Sequence, residues 1–261
     1  MKISEIIQLL ESLAPPAYQE DYDNSGLIAG DHSIECSGVL ISLDCTEEVI
    51  MEASERNCNL VVSHHPLIFR PIKSIHPYNS MGKALITAIQ KKIAVYSIHT
   101  NLDNIITGVN GCIADKLELE NRRILFPKIG FPAVGSGIIG ELKITLSEIQ
   151  FLEKLKAKFN LSLIRHSPLS GKPVTRVAVC GGAGSFLIPK ALQLDADFFV
   201  SADIKYHEFF GGEGRMVIAD IGHFESEQFT IDLLHDIILE KFPNFAVLKS
   251  GSVTNPVNYY I

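Results

Sequence analysis

Four groups of residues carry side chains able to ligate a metal or move a proton. They are the adjacent pair His64-His65, His99 with Asp103, Asp203 with His207, and His223 with Glu227. In the last three groups the two members stand four residues apart, which places both on one face wherever the segment is helical. Neighbouring residues in extended chain diverge, so His64 and His65 suit two ions side by side, one ring to each. Plainer roles exist for each group. Two adjacent histidines can be a hydrogen-bonded pair at a strand end. Asp103 can cap a helix, and Glu227 can sit in a first turn where the helix dipole favours an acid.

The ligand count separates the types of metal site. His64, His65, Asp103, His223 and Glu227 give five side chains, or six metal bonds if one carboxylate bridges. Two closed tetrahedral zinc sites would need about eight protein bonds, and the shortfall leaves positions for water, as in catalytic sites. Two ions about 3.5–4 Å apart can share a bridging hydroxide as nucleophile. A nitrogen and oxygen donor set without cysteine suits zinc, manganese, iron, cobalt or nickel, and does not choose among them. Asp44 stands three residues before Glu47, a capping-box spacing, so capping is its expected role. His32, His76, His166 and His235 have no comparable partners and are expected at the surface or in packing. The Cys180-Gly181-Gly182-Ala183-Gly184-Ser185 stretch can serve as a tight turn or present backbone N–H groups to an anion. It fits neither the dinucleotide fingerprint nor a P-loop.

Several strands and helices must position these groups. Val39–Leu43, Leu60–Val62 and Ile93–Ile98 read as buried strands, alternating with helices over about 46–56, 81–91 and 104–117. An N-terminal helix capped by Ser4 and ended by Pro15-Pro16 precedes them, followed by a polar stretch, Gln19 to Asp31. Further strands are expected near 142–145, 161–165, 174–179, 198–201, 216–219 and 246–249. The helices among them fall at 147–158, up to about 194, and at 225–241. Short apolar runs alternating with helices predict the α/β class: two lobes with mostly parallel sheets flanked by helices. Pro127, Gly130, Pro132, Gly135, Gly137 and Gly140 cluster between Leu125 and Gly140, which predicts a linker. The expected division is a first lobe over 1–125 and a second over 126–241, with 242–261 a candidate to complete the first. Ligands of open α/β sheets bind beyond the carboxyl ends of strands, where all four groups are expected.

Composition removes whole classes of function. Of 261 residues 46% are hydrophobic and 20% charged, enough to bury one large core or two modest ones. The formal charge of -7 argues against a nucleic-acid partner, which needs clustered positive charge. There is no run of about 18 apolar residues, the length of a spanning helix, so no membrane association is expected. The polar N-terminal segment lacks a signal-peptide pattern, and five cysteines without a C-x-x-C suggest neither disulfides nor a zinc ribbon. A reducing cytoplasm is the expected location.

Ser63-His64-His65-Pro66-Leu67-Ile68-Phe69 resembles the hallmark of the Nif-three-like dinuclear metal-centre proteins, the family labelled GTP cyclohydrolase 1 type 2. The blocks Asp23-Asn24-Ser25-Gly26-Leu27, His99-Thr100-Asn101-Leu102-Asp103 and Ala202-Asp203-Ile204-Lys205-Tyr206-His207 agree in order. So do Gly222-His223-Phe224-Glu225-Ser226-Glu227 and the closing Thr254-Asn255-Pro256-Val257. The resemblance implies metal ligands at His64, His65, Asp103, His223 and Glu227, with His99 lining the site and Asp203, Lys205 and His207 as secondary candidates. Tyr22 stands where the family usually has Trp, and the stretch from Leu125 to Gly140 is too short for the domain that longer members insert.

The implied fold is two α/β lobes around a metal pair, and the implied assembly a ring-shaped homohexamer. The expected function is a hydrolase using metal-bound hydroxide on a nucleotide-like or phosphate-bearing small molecule, with His99 or His207 shuttling protons. GTP ring opening is the activity the family label suggests. The alternative is a non-catalytic, metal-binding, ring-forming interaction or regulatory protein.

Overall fold

The structure, a computed structural model, describes residues 1–260. The chain forms two compact units, one of Met1–Leu102 with Thr230–Asn258, the other of Asp103–Phe229 with the tail from Tyr259. The first unit begins with strands β1 (Gly26–Ala29), β2 (Val39–Ser42), β3 (Leu60–Ser63) and β4 (Ala94–Ser97). The second holds β5 (Leu119–Lys128), β6 (Phe131–Leu146), β7 (Arg165–His166), β8 (Val174–Ala183), β9 (Phe198–Ala202) and β10 (Val217–Asp220). The last strand, β11 (Val247–Lys249), pairs parallel with β2 in the first unit.

In the first unit the strand order is β1-β4-β3-β2-β11, with only β1 antiparallel to its neighbour. Strands β2, β3 and β4 are Val/Leu/Ile-rich and buried along their whole length, as central strands covered on both faces must be. Leu40, Val61 and Val95 of these strands pack with Val49, Ile50 and Ala53 of the helix Glu47–Glu55 and Ala88 of the helix Ser80–Lys91. Each large aliphatic side chain so buried contributes about 1.5–3 kcal/mol. In the second unit the order is β5-β6-β8-β9-β10-β7, parallel only across β8-β9-β10. Its core joins Ala178, Phe199 and Ile218 from those three strands to Leu187, Ile188 and Ala191. The expected α/β class is what the two sheets form: the strands are mixed and mostly parallel taken together, with the antiparallel pairs concentrated in the second sheet.

Some local expectations need correction. The glycine- and proline-rich stretch after Leu125 is the antiparallel β5–β6 hairpin and not a linker. Gly135 is needed because a Cβ there would stand 2.2 Å from the Phe126 carbonyl oxygen, and its φ is +155°. The compact units divide at 102/103 and 229/230, whereas the turn chemistry suggested 125/126. Strand β1 lies within the stretch read as polar connection, and the strand expected over 161–165 reduces to the two residues of β7. Lys2, not Ser4, precedes the first helix (Ile3–Leu13). The helix expected at 104–117 shortens to Val109–Lys116, and a separate short helix, Thr100–Asp103, precedes it. That expected at 225–241 breaks into His223–Glu227 and Thr230–Lys241. Among the described residues no helix is long and apolar enough to cross a membrane.

Candidate metal centre

In the first unit, parallel pairing puts Ser42, Ser63 and Ser97 in register at the carboxyl ends of β2, β3 and β4. Their hydroxyls are buried, and Ser63 Oγ lies 3.0 Å from Ser97 Oγ and donates to the His65 carbonyl at 2.8 Å. Beyond this row, the His64 and His65 amides donate to the Ser42 and Leu43 carbonyls at 3.2 and 2.9 Å. The Ile98 amide donates to the Ser63 carbonyl at 3.0 Å. The backbone that carries the histidines is thus held by the sheet itself.

Each of these rings is also held at Nδ1. His64 Nδ1 donates to the Ile98 carbonyl at 2.9 Å, and His65 Nδ1 to Asp44 Oδ1 at 2.7 Å. His99 Nδ1 donates to Asp23 Oδ1 at 2.7 Å. A carbonyl or carboxylate oxygen can only accept, so each Nδ1 carries a proton, and a ring in its neutral form has its lone pair on Nε2. Histidines that ligate metals are oriented in this way by the partner of the other nitrogen. The three rings are 5.0–5.4 Å apart by centroid, and one ligand atom from each lies within 4.8 Å of the others.

Asp23 is held on several sides, its side chain fully buried. It accepts from the Asn24 amide at 2.7 Å, Ser25 Oγ at 3.0 Å, the Thr100 amide at 3.0 Å and the Thr100 hydroxyl. Burial opposes its ionisation. The hydrogen bond and charge of His99, with the bonds from Thr100 and Asn24, outweigh that and hold it well below the usual carboxylate range.

In the second unit, β8, β9 and β10 again present their carboxyl ends together. His223 opens the helix His223–Glu227 just after β10, and Asp203 follows β9 in a left-handed conformation with φ +54°. His223 Nδ1 lies 2.8 Å from Asp203 Oδ2, and His223 Nε2 lies 3.1 Å from Glu227 Oε2. A carboxylate at each nitrogen calls for positive charge, supplied by an imidazolium or by a cation held between Nε2 and the buried Glu227. The donor set therefore fits a metal ion. Asp103, the last residue of the helix Thr100–Asp103, receives Asn110 Nδ2 on its carbonyl at 3.0 Å. Burial pushes the Cys180 thiol well above its usual range, and the Asp103 and Glu227 carboxylates add to the shift. Both acids therefore act on the same thiol.

The glycine-rich stretch has a structural purpose. Strand β8 runs on through Ala183, and its amides turn inward: Gly181 to Asn110 Oδ1 at 2.9 Å and Gly182 to Ser226 Oγ at 3.0 Å. The Gly184 amide donates to Ser201 Oγ at 3.0 Å. These N–H groups do not form an anion cradle. Gly182 leaves room for Glu227 and His223 instead.

The remaining predicted residues separate. Asp44 does not cap the helix Glu47–Glu55, since Thr46 Oγ1 accepts from the Val49 amide at 3.3 Å. Its carboxylate serves His65. Asp203 orients His223. Lys205 and His207 are exposed, and the His207 ring lies against Tyr206 and Phe210. His76 packs beside Tyr78, His166 Nδ1 bonds the Ser167 carbonyl at 2.8 Å, and His235 meets Asp236 at 2.8 Å. Sequence spacing gave no role to Asp23 and read Asp44 as a cap. The signal for Asp23 was its position in the acidic Asp21-Tyr22-Asp23-Asn24 run, which fixes no partner.

The sequence model of Duf34/NIF3 (NGG1p interacting factor 3) matches residues 1–256. The GTP cyclohydrolase 1 type 2 homolog of Campylobacter jejuni is 36% identical over 230 residues, covering 88% of each chain. That of Lactococcus lactis is 33% identical over 262 residues, covering 98% of each. The crystal structure of Staphylococcus aureus hypothetical protein SA1388 matches with a TM-score of 0.92 at 29% identity, over 100% of this chain and 99% of that one.

Proposed function

Because this chain belongs to the Duf34/NIF3 family, we propose that it is a dinuclear-metal-dependent hydrolase of nucleotide-like or other phosphate-bearing small molecules. The observation that carries this is the shared arrangement of four imidazoles. His64, His65, His99 and His223 each commit Nδ1 to an oxygen, which leaves Nε2 as the ligating atom. His64, His65, Asp103, His223 and Glu227 are the proposed ligands of two divalent ions, drawn from zinc, manganese, iron, cobalt or nickel. Bound there, the ions would supply Lewis-acid activation of water and stabilise developing negative charge.

The chain's own residues then handle protons and substrate. His99 is the proposed proton carrier: one of its ring nitrogens shares a small space with the His64 and His65 donors, and ionised Asp23 behind it stabilises the imidazolium. His207, the other candidate, has its ring engaged with aromatic neighbours. Phe69 lies edge-on to His99 with centroids 6.0 Å apart, and Tyr22 lies 6.2 Å from Phe69. Both aromatics are exposed, at 42% and 63%, and offer a face for a planar ring, which supports a nucleotide-like substrate. The name carried by the relatives makes GTP the first compound to test. The proposed assembly is a homohexamer, which light scattering on the purified chain measures.

The experiment is a screen of nucleotides, phosphoesters and peptides with metal-replete protein, with His65→Ala as control. Turnover that vanishes together with bound metal in His65→Ala is the expected result. Turnover retained without metal, or inertness of the metal-replete protein across the panel, overturns the hydrolase reading. Inertness combined with a stable protein partner would favour a regulatory role.

A further inference from the structure

We propose that the C-terminal segment after β11 is a working part of the metal centre, with Thr254 the positioning residue that sets His65 through Asp44. The inference rests on the proposed ligand role of His65. Thr254 Oγ1 donates to Asp44 Oδ2 at 2.5 Å, and Asp44 Oδ1 accepts from His65 Nδ1 at 2.7 Å. These two bonds use different oxygens of one carboxylate, so the hydroxyl fixes the rotation of the group that fixes the ring. A hydroxyl donating to a carboxylate is among the stronger hydrogen bonds, and here it occupies one oxygen while the other is left to accept from His65.

The segment has no regular secondary structure, so something must hold Thr254 in place. That anchor is Glu52, on the helix Glu47–Glu55. Its carboxylate accepts from Ser250 Oγ at 2.6 Å, the Gly251 amide at 2.9 Å, Ser252 Oγ at 3.0 Å and the Ser252 amide at 3.3 Å. Arg56 Nη1 joins the two sides, reaching Glu52 Oε1 at 2.7 Å and the Lys249 carbonyl at 2.9 Å. The Ser250 amide continues the β11–β2 pairing by donating to the Ile41 carbonyl at 2.8 Å. So many bonds from one acid to three consecutive residues are more than an exposed tail needs for solubility. Their consequence is to deliver Thr254, two residues on, to Asp44. All of these residues belong to the first unit.

The test replaces the hydroxyl and keeps the shape: Thr254→Val against Thr254→Ser in the full chain. Zinc alone is the probe, titrated against a chelating dye. Loss of an outer partner of a ligating histidine typically costs 10–100-fold in metal affinity. Thr254→Val is expected to weaken zinc binding by about 10-fold or more, and Thr254→Ser to stay within about threefold of the parent. A second readout uses metal-free protein: nitrogen-15 imidazole spectra report which His65 nitrogen carries the proton. The parent and Thr254→Ser should show the Nδ1–H form, and Thr254→Val a mixture of the two tautomers. A Thr254→Val variant with parental zinc affinity and an unchanged His65 tautomer overturns the inference. If the parent itself binds no zinc, zinc is not the metal held there, while the tautomer comparison still decides the role of Thr254.

Discussion

Gly182 and Glu227 are fitted to one another: a Cβ on Gly182 would stand 2.4 Å from Glu227 Oε1, closer than real contacts allow. Gly182 also has a φ of +60°, so an added side chain meets both steric overlap and backbone strain. Gly182→Ala is expected to cost about 1–3 kcal/mol in urea unfolding. Because the clash falls on a proposed ligand, zinc affinity should drop by about tenfold or more. A variant with parental stability and parental zinc affinity would show that the glycine does not position the acid.

The two orienting aspartates Asp203 and Asp23 should separate stability from metal binding. Asp203 is 55% exposed and its side chain meets His223 Nδ1, so Asp203→Asn removes charge at little structural cost. Zinc affinity is expected to fall by about 10–100-fold while stability changes by no more than about 0.5 kcal/mol. Asp23→Asn places an amide donor among the amide and hydroxyl donors that now serve a buried carboxylate. It is expected to cost about 2–4 kcal/mol as well as metal affinity. Equal stability losses at the two positions would contradict this assignment.

Glu52 gives a pH signature for the anchored C-terminal segment. Burial raises its pKa, but bonds from Ser250, Gly251, Arg56 and Ser252 win and bring it from 4.5 to about 2. A carboxylate depressed in the folded state adds stability above its unfolded pKa. That stability drains away as pH falls from about 4.5 through about 2. Glu52→Gln should therefore be less stable than the parent by about 1–2 kcal/mol at pH 7, allowing for solvent screening. The difference should shrink steadily below about pH 4.5, as denaturant melts at stepped pH will register. A constant difference across that window would mean the charge of Glu52 does no anchoring.

The parts of the fold set by local pattern were legible in the sequence. Buried Val/Leu/Ile runs marked β2, β3 and β4, and the polar residues that follow them marked where ligands could stand. What escaped were relationships between distant positions. Asp44 meets His65 and Asp203 meets His223 because parallel pairing aligns the loops after their strands, while Asp23 meets His99 because β1, which follows it, runs antiparallel to β4. Asp44 matched a capping spacing, yet Thr46 lies nearer the helix start and caps it. The glycines after Leu125 suggested a linker because turn chemistry is the same whether a turn joins lobes or closes a hairpin. Gly182 suggested a turn or an anion loop, and its use as clearance for Glu227 depends on a residue 45 positions away.

Metal stoichiometry is the most direct test of the central claim. Purified chain is equilibrated in turn with zinc, manganese, iron, cobalt and nickel, freed of excess, and its bound metal measured per chain beside His65→Ala and Glu227→Ala. About two tightly held ions per chain are expected in the parent with at least one of these metals. Each variant should retain fewer, while remaining folded by circular dichroism. A parent that retains none of the five metals, or variants that hold as much as the parent, would contradict the proposed dinuclear centre.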